Sequence, residues 1–461
     1  MKPLPIRALG DQHEWLGYWW ESSNPDVRIP GVLRHTPGVG SRLSLVGGFD
    51  FNAWADAENG GKVFSGYRDP DIIHGDINGT PMSLLDCRLA HSVQRLAFPA
   101  PAQEEQVIEA STCLEGVHVQ DGASTSIAGY SVRVGGAELV FPSRHMFTFH
   151  KPPSEDRPRG EYHADVMPTR HDLEWEATTP VEDRITLERQ WQQLSGGPAD
   201  IHFTETATFR CEFGQAHTLT NVIRHANDLQ LLVALLSDQT PAIEWLRCKT
   251  TDGSGVNLLF QMAEARESRM DGIVADYPLV RDLGTFADVV SAWFELLDKT
   301  GPACRILVNM RYNKNSYVEH QLATVMTAAE RLHKGLSGSS ARRPLRERLD
   351  QLCDQVPPGL LADILPDRQL WLRVVQTRNA LTHTGESGDV GLTYAAVIVT
   401  EAVLLAVVLT QLQIREEEVI QSRVFSRRMR AARTQAEQYF SGHPAQAVGS
   451  GSDLQEEDHD D

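Results

Sequence analysis

The sequence lacks the signatures of several large protein classes. Six cysteines are scattered along it: Cys87, Cys113, Cys211, Cys248, Cys304 and Cys353. None forms a Cys-x2-Cys pair, which argues against a zinc ribbon and against a disulfide framework. There is no phosphate-binding Gly-x4-Gly-Lys-Ser/Thr loop and no Gly-x-Ser-x-Gly nucleophile elbow. The first seventeen residues contain no apolar core of signal-peptide length. We therefore expect a cytoplasmic protein.

Long hydrophobic runs are also missing. The most apolar segment, residues 394–414, contains Thr400, Glu401 and Gln411. Its uninterrupted apolar part, residues 402–409, is far shorter than the roughly 20 residues that cross a bilayer. The pattern predicts a helix buried in a bundle and no membrane contact.

Positive charge is scarce. The chain has 43 Lys and Arg against 62 Asp and Glu, a formal net charge of −19. Six of the negative charges lie in the last nine residues, so the charge without them is −13. Any nucleic-acid contact must therefore use a local basic patch.

The first half of the chain has the pattern of a β-rich domain. Alternating segments at residues 41–46, 131–134 and 201–209 predict half-buried strands, and Gly-Gly pairs separate the early ones. Leucines and valines at helical spacing follow in residues 219–236, and a further strand pair is predicted at 242–249 and 256–262. We expect a sandwich or a distorted barrel over residues 1–265, with a soft boundary.

From Phe286 onward the periodicity is helical. Helices are predicted at residues 288–298, 317–336, 346–355, 369–383, 392–419 and 423–440. Loops are predicted at 335–340 and 356–359. The fold class is therefore α+β. We assign a helical connector to residues 266–304, an all-α bundle to 305–440 and a disordered acidic tail to 441–461.

Arg378, Asn379 and His383 are the residues with the clearest chemical potential. Arg378 can grip a phosphate with a forked, charge-assisted hydrogen bond. His383 can exchange a proton with a ribose hydroxyl or a leaving oxygen near neutral pH. Asn379 can orient either partner or bind a phosphate oxygen. Because RNA carries its own nucleophile, these residues require neither a metal nor a cofactor.

Spacing alone does not establish this site. About one Arg-x4-His pair is expected by chance in a chain of this composition. Positions five apart on a straight helix also point about 140° away from each other. The two side chains meet only if the helix ends or kinks between them, or if a second subunit completes the site. Gly385 favours a helix stop near His383. The alternative is two surface cations at a helix C-terminus, where the dipole favours them.

Two groups of residues carry a family resemblance. Arg378-Asn379 followed by His383 resembles the Arg-x4–6-His signature of HEPN-domain ribonucleases. The pattern around it, with Tyr317-Val318-Glu319, then Ala328-Ala329-Glu330-Arg331-Leu332-His333, the motif and a long apolar helix, is similar to the Apea-like HEPN domain. The N-terminal region resembles the first domain of ApeA-type anti-phage proteins. The segments that carry this likeness are Gly17-Tyr18-Trp19-Trp20, Pro30-Gly31-Val32-Leu33, Leu43-Ser44-Leu45-Val46-Gly47, His74-Gly75 and Met82-Ser83-Leu84-Leu85-Asp86-Cys87.

The resemblance implies a bacterial defence protein that acts by abortive infection. It implies a HEPN endoribonuclease with Arg378, Asn379 and His383 as catalytic residues and RNA, tRNA included, as substrate. The 2′-hydroxyl would attack the adjacent phosphorus and leave a 2′,3′-cyclic phosphate and a 5′-hydroxyl. HEPN bundles usually form homodimers that bring two motifs together, and a phage-derived trigger is expected.

Other residues have weaker patterns. Arg423, Arg427 and Arg430 lie on one face of the last predicted helix and are candidates for RNA-backbone contacts, unless they pair with Glu416–Glu418. A second basic cluster comprises Arg342, Arg343, Arg346 and Arg348. Glu330 and His333 share a helix face and either line the cleft or form a surface pair.

Two further sets favour structural roles. The spacing of His145, His150, His163 and His171 fits no standard metal-ligand set, so we expect no metal site. Trp15, Trp19, Trp20 and Trp54 are expected in the core of the β domain and not as base-stacking platforms. The alternative function is a non-catalytic HEPN-like module that binds a partner, a nucleotide or a phage ligand, and the acidic charge favours it.

Overall fold

The computed structural model describes residues 4–56, 62–95, 103–120, 126–142, 147–150, 163–166, 174–197, 200–261, 278–313, 317–338, 343–384 and 389–440. The acidic tail predicted at 441–461, Arg342 and the end of the strand predicted at 256–262 lie outside these residues. The chain forms two compact units, residues 1–295 and 296–461. The division falls within the segment predicted as a connector, and the predicted domain bounds stay predictions.

The first unit begins with a closed barrel of six antiparallel strands. Its strands are β1 (His13–Glu21), β2 (Ile29–Thr36), β3 (Gly40–Val46), β6 (Ile72–Ile77), β7 (Thr80–Arg95) and β8 (Gln103–Glu115). They pair in the order β1-β2-β3-β8-β7-β6, and β6 returns to β1. A hairpin of β4 (Asn52–Asp56) and β5 (Lys62–Tyr67) lies outside this ring.

Strand alternation builds the barrel core. Trp15 faces Leu33 across β1 and β2, Leu33 faces Leu43, and Leu43 faces Ile108. All four side chains are buried, as the period of two requires for one face of a strand. Trp19 is fully buried and packs on Gly75, where a Cβ atom would overlap the indole ring.

A second antiparallel sheet joins the barrel at the end of β8. Its strands are β9 (Ile127–Val134), β12 (Glu174–Thr178), β13 (Arg184–Gly197), β14 (Asp200–His217), β15 (Ile243–Thr250) and β16 (Gly255–Phe260). They pair in the order β12-β13-β14-β9-β15-β16, and β16 pairs with β8. The strands β10 (Phe147–His150) and β11 (His163–Val166) form a separate pair. The predicted β-rich domain is confirmed, as a barrel with an attached sheet.

Among the described residues, two helices belong wholly to this unit. They are α1 (Ala137–Val140) and α2 (Leu219–Ser237). The latter begins where Thr218 accepts a hydrogen bond from the amide of Asn221, and it packs on β9 and β15. A third helix, α3 (Leu283–Thr300), contributes its first part to this unit, where Trp293 donates to the carbonyl of Asp228 at 2.9 Å.

The second unit is all helical among its described residues. Its helices are α4 (Ala303–Asn309), α5 (Val318–Ser337), α6 (Leu345–Cys353), α7 (Pro358–Ile364), α8 (Trp371–Thr384), α9 (Val390–Gln411), α10 (Glu416–Gln421) and α11 (Arg423–Phe440). Helix α9 is the centre of the bundle and packs against α4, α5, α6, α7, α8 and α11. The α+β fold class is confirmed.

Helix α9 is the one helix of the described chain that is long and apolar enough to span a membrane. However, 83% of its most apolar stretch is buried within the protein, as expected of a core helix. This burial agrees with the prediction of a bundle helix.

Two sequence predictions in the bundle are wrong. The helix predicted at 392–419 is two helices, because Gln413 adopts a left-handed conformation (φ 61°) and the amide of Ile414 bonds back to Leu409. The loop predicted at 356–359 is wrong in its second half, because Pro358 and Gly359 begin α7, and proline is compatible with the first turn of a helix. Its first half, residues 356–357, precedes the helix as predicted.

Candidate active site

The predicted motif lies on helix α8. Trp371, Val374 and Thr377 form the buried face of this helix. The indole of Trp371 donates to the sulfur of Cys353 on α6 at 2.8 Å, and burial raises the pKa of that thiol to about 11, so it stays protonated. This contact fixes where α8 packs against α6.

Arg378 lies at the edge of the buried face. Its side chain is 34% exposed, and Nη1 donates to Oδ1 of Asn379 at 3.2 Å. Its other terminal nitrogen, Nη2, is 3.9 Å from Oε1 of Glu330 on α5. The structure thus brings Arg378, Asn379 and Glu330 together.

Position 383 belongs to a different face of the same helix. Gln376, Asn379 and Ala380 are exposed, and position 383 follows them at the spacing of one helix face. The His383 side chain lies outside the described residues. The backbone is helical through Thr384, so the helix continues past both residues and ends next to Gly385, near the predicted stop. The two positions are about 140° apart around one axis and about 7.5 Å apart along it.

Asn379 connects the two faces. Its backbone lies on the exposed face that carries position 383, and its side chain accepts a hydrogen bond from Arg378. The Arg378 guanidinium is therefore drawn from the edge of the core towards that face.

Glu330 also contacts a second arginine. Its Oε2 is 3.4 Å from Nη1 of Arg348 on α6. Helices α5, α6 and α8 pack pairwise, so the three charged side chains come from three helices. Sequence reasoning left Glu330 open between a cleft residue and a surface pair, and the structure places it beside Arg378.

His333 has a structural role. It is buried, and its Nε2 donates to Oε1 of Gln351 on α6 at 2.6 Å. Because a carbonyl oxygen only accepts, the Nε2 proton is committed to this bond. The pairing of His333 with Glu330 on one cleft face, considered from the sequence, is not what the structure shows.

The other predicted RNA-contact residues lie on α11. Arg423, Arg427 and Arg430 are all exposed and recur at helical spacing. Neither Arg427 nor Arg430 forms an ion pair within the described residues, whereas Arg428 pairs with Glu401 of α9 and Arg433 with Glu437. Of the nearby acidic residues, Glu418 pairs with Arg415.

The residues considered for other roles are placed as follows. Trp15, Trp19 and Trp20 are buried, which confirms their place in the core, and the side chain of Trp54 lies outside the described residues. His145 and His171 also lie outside them, as do the side chains of His150 and His163. Within the described chain, no group of three His, Cys, Asp or Glu could hold a metal ion. Metal independence stays a prediction.

A second group of titratable residues lies in the first unit. The hydroxyl of Tyr130 is 2.5 Å from Nδ1 of His225, whose Nε2 is 3.9 Å from Oδ2 of Asp183. Burial lowers the pKa of His225 to about 3 and raises the pKa of Asp183. A histidine with so low a pKa is neutral at pH 7 and is poorly suited to proton transfer there.

The family comparison concerns the first unit. A family model described as ApeA N-terminal domain 1 matches residues 14–272, more than half of the chain. The chain belongs to this ApeA family. Searches of curated proteins and of solved structures found no match.

Membership in the ApeA family suggests a role in anti-phage defence. The match covers the barrel, the second sheet and α2, so the N-terminal resemblance drawn from the sequence is confirmed. Arg378, Asn379 and His383 lie outside the matched residues. The HEPN assignment of the helical unit therefore stays a prediction.

Proposed function

We propose that this ApeA-family chain is a metal-independent HEPN endoribonuclease that acts in anti-phage defence by abortive infection. The observation that carries the proposal is the partly exposed side chain of Arg378, whose guanidinium is hydrogen-bonded to Asn379 on the helix face of position 383. The proposed substrate is RNA, tRNA among the candidates, in the cytoplasm, and a phage-derived ligand is the proposed trigger.

The proposed reaction uses the nucleophile of the RNA itself. The 2′-oxygen forms a bond to the adjacent phosphorus while the bond from phosphorus to the 5′-oxygen breaks. His383 takes the proton of the 2′-hydroxyl, and a protonated imidazole gives one to the departing 5′-oxygen. Arg378 stabilises the added charge on the phosphoryl oxygens. The products are a 2′,3′-cyclic phosphate and a 5′-hydroxyl.

Helix geometry favours two copies over one. Positions 378 and 383 diverge by about 140° on a continuous helix, which favours a site completed by a second copy over a site formed by one copy alone. We propose that a homodimer of the helical unit places two motifs in one cleft. Two imidazoles would then supply the base and the acid.

The exposed arginines of α11 form a local positive patch, which RNA binding requires because the net charge of the chain is negative. Arg423, Arg427 and Arg430 are exposed, and Arg427 and Arg430 are unneutralised among the described residues. Removing one phosphate contact of this kind weakens binding to RNA of any sequence. We propose that these three residues bind the RNA backbone.

The test is cleavage of cellular RNA by the purified full-length chain, with trigger-containing phage lysate and without it. We expect His383→Ala to lower the cleavage rate about 10²–10⁴-fold, the usual contribution of a positioned acid–base group. His320→Ala, an exposed histidine on α5, is the matched control and should cut normally. The new ends should carry 2′,3′-cyclic phosphate and 5′-hydroxyl, and EDTA should not reduce the rate.

Cleavage by His383→Ala at the wild-type rate would refute the assigned chemistry. The second candidate function is a non-catalytic binding module, which the net charge of −19 and the carboxylate beside Arg378 favour. Wild-type protein that binds RNA or a phage component but never shortens RNA, with the trigger present, would establish that alternative.

A further inference from the structure

Three side chains of strand β15 form a strip on one face of the second sheet. Trp245, Arg247 and Lys249 occupy alternate positions, so they share one face of the strand. The intervening Leu246 and Cys248 are buried on the other face. Lys249 is exposed, and Trp245 and Arg247 are partly exposed. Two cations and an indole therefore lie side by side where solvent reaches them.

The neighbours of the two cations in the sheet are mostly small. Lys249 pairs with Gly255 on β16 and with Gly129 on β9. Gly255 also makes room for Arg247, because an added Cβ atom there would lie 2.7 Å from Nη2 of the guanidinium. On β9 the residue that pairs with Arg247 is Ser131. The cations thus extend above small neighbours, which gives a ligand access to both.

The remaining neighbour of Arg247 is hydrogen-bonded elsewhere. This neighbour is Asn257 on β16, and its amide nitrogen donates to the carbonyl of Pro5 at 2.7 Å. The same nitrogen donates to Glu115 at 2.8 Å. Glu115 is buried and forms an ion pair with Arg7 at 2.8 Å. This carboxylate is therefore neutralised by a different arginine and does not cancel the charge of Arg247.

Ion pairing also distinguishes the strip from the strands beside it. Arg247 and Lys249 form no ion pair within the part of the chain that the structure describes. Three arginines on the same face of β9, β13 and β14 each have a carboxylate partner. These pairs are Arg133–Glu244 at 2.8 Å, Arg184–Glu212 at 2.8 Å and Arg210–Glu188 at 3.3 Å. Two positive charges therefore remain uncompensated beside one aromatic ring.

We propose that the strip of Trp245, Arg247 and Lys249 binds single-stranded nucleic acid. Sites for single strands combine cations that follow the phosphates with an aromatic ring on which a base stacks. In this site Arg247 and Lys249 contact neighbouring phosphates, and the indole of Trp245 stacks on a base. The strip lies in the first unit, within the residues that match ApeA N-terminal domain 1. It is a binding site distinct from Arg378 and from the arginines of α11.

The experiment measures binding of a fluorescent oligothymidylate to the full-length chain. The probe has about 12 nucleotides, within the usual site sizes of single-strand binders. DNA has no 2′-hydroxyl, so the proposed cleavage chemistry leaves this probe intact. A second arm uses oligouridylate with the His383→Ala chain, and the tighter of the two probes identifies DNA or RNA as the source of the strand. Affinity is measured between 50 and 200 mM salt, because each phosphate contact to a single strand contributes about 0.7 to the slope of log affinity against log salt.

We expect Arg247→Ala and Lys249→Ala each to lower the steepness of that slope by about 0.7, and the two together by about 1.4. Arg247→Lys and Lys249→Arg keep the charge and should keep the slope. Arg34→Ala is the control, because it removes the same charge from a barrel strand, where Arg34 pairs with Glu14 at 2.6 Å. It should leave the slope at the wild-type value. Any contact made by α11 adds equally to every variant, since all the substitutions lie in the first unit.

Trp245→Leu tests the stacking contact separately. It removes the aromatic ring and no charge, so affinity should fall at least about fivefold at each salt concentration while the slope is unchanged. Trp245→Phe keeps an aromatic ring and should retain most of the affinity. Thermal melting of each variant distinguishes lost binding from lost folding. A Trp245→Leu protein that melts earlier but binds as tightly as wild type would overturn the stacking role.

Cross-linking locates the bound strand. An oligothymidylate that carries one photoreactive 5-bromodeoxyuridine should form an adduct with Trp245, which mass spectrometry of the digested protein identifies. Equal slopes for Arg247→Ala, Lys249→Ala and Arg34→Ala in folded proteins would overturn the proposal. Adducts confined to the helical unit, or a wild-type chain that binds neither probe, would overturn it as well. None of these outcomes depends on whether His383→Ala cuts RNA, so the strip and the proposed nuclease are tested separately.

Discussion

The polar side chains of the barrel and those around Arg378 differ in burial and in the length of their contacts. In the barrel, His74 and His118 contact backbone carbonyls through Nε2 at 2.8 Å, and Gln106 both accepts from and donates to the backbone of Phe49 at 2.8 Å. Glu115 is buried and paired with Arg7 at 2.8 Å. Short contacts occupy these groups, and the buried ones among them, His74, Gln106 and Glu115, require such partners.

Around Arg378 the charged side chains of Glu330, Arg348 and Arg378 are about one-third exposed. The two ion pairs of Glu330 are 3.4 and 3.9 Å long, and the side chains remain reachable by a ligand. Exposed ion pairs of this kind contribute little to stability. The compared polar side chains of the ApeA-matched barrel are mostly buried and closely bonded, whereas those around Arg378 remain partly exposed to solvent.

The largest expected effect is on the barrel. Trp19→Ala should lower the free energy of unfolding of the first unit by about 3–5 kcal/mol, because it removes a fully buried indole and leaves a cavity. Leu16→Ala is the matched control on the same strand, since Leu16 is 72% exposed, and it should change stability by less than about 0.5 kcal/mol. Hydrogen exchange, resolved by segment, measures both.

The contrast between the two regions would be contradicted if Trp19→Ala lowered the free energy of unfolding no more than Leu16→Ala does. It would also break if exchange in α5, α6 and α8 rose as much as exchange in the barrel strands. We expect the loss of protection to concentrate in β1 and in β2 and β6, the two strands that pair with it.

Much of the fold follows from periodicity. The strand predicted at 41–46 is observed as β3, and the last helix, predicted at 423–440, has the same bounds in the structure. These segments succeed because their burial alternates with period 2 or 3.6, which sequence shows directly. The break after α9 was missed because Gln413, and not glycine, adopts the left-handed conformation there.

The residues of the candidate site were chosen from the sequence and their roles stay predictions, whereas the geometry around them could not be predicted. The chemistry of Arg378 and Asn379 suggested their roles, and the structure brings them into contact. The link from Arg378 through Glu330 to Arg348 crosses three helices, and no spacing rule along one chain reports such a contact. The pairing of β7 with β8, which helps to close the barrel, is likewise a tertiary contact. The sequence alone therefore did not decide between a sandwich and a barrel.

The second prediction concerns the loss of folding stability at low pH. Burial, with help from the charge of His13, lowers the pKa of His35 in the barrel to about 4 from an ordinary value of 6.5. Protonation therefore favours the unfolded chain, and stability is present above pH 6.5 and is lost as pH falls towards 4. A shift of this size corresponds to about 3 kcal/mol.

Urea unfolding at pH 7, 5.5 and 4.5 measures this loss. The variant His35→Gln should show a flatter dependence on pH than wild type, although its stability at pH 7 falls because the contact with Ser41 at 3.0 Å is altered. His91→Gln, at an exposed position of β7, is the control and should keep the wild-type slope. A slope for His35→Gln as steep as that of His91→Gln would contradict the assignment of acid sensitivity to buried barrel imidazoles.

The smallest expected effect tests the hydrogen bond between Arg378 and Asn379 directly. Asn379→Ala removes the acceptor that draws Arg378 towards the face of position 383, a hydrogen bond to a charged group worth about 1.5–3 kcal/mol. Part of that energy is recovered from water because the pair is exposed, so we expect kcat to fall roughly tenfold with the melting temperature unchanged. Asn379→Asp holds Arg378 but adds a negative charge, so its defect should lie in KM. Gln376→Ala, exposed one turn earlier on the same face, should affect neither constant. If Asn379→Ala instead lowered stability and left kcat intact, the hydrogen bond would be structural, and the contrast between a closely bonded barrel and a chemically available helix face would lose its basis.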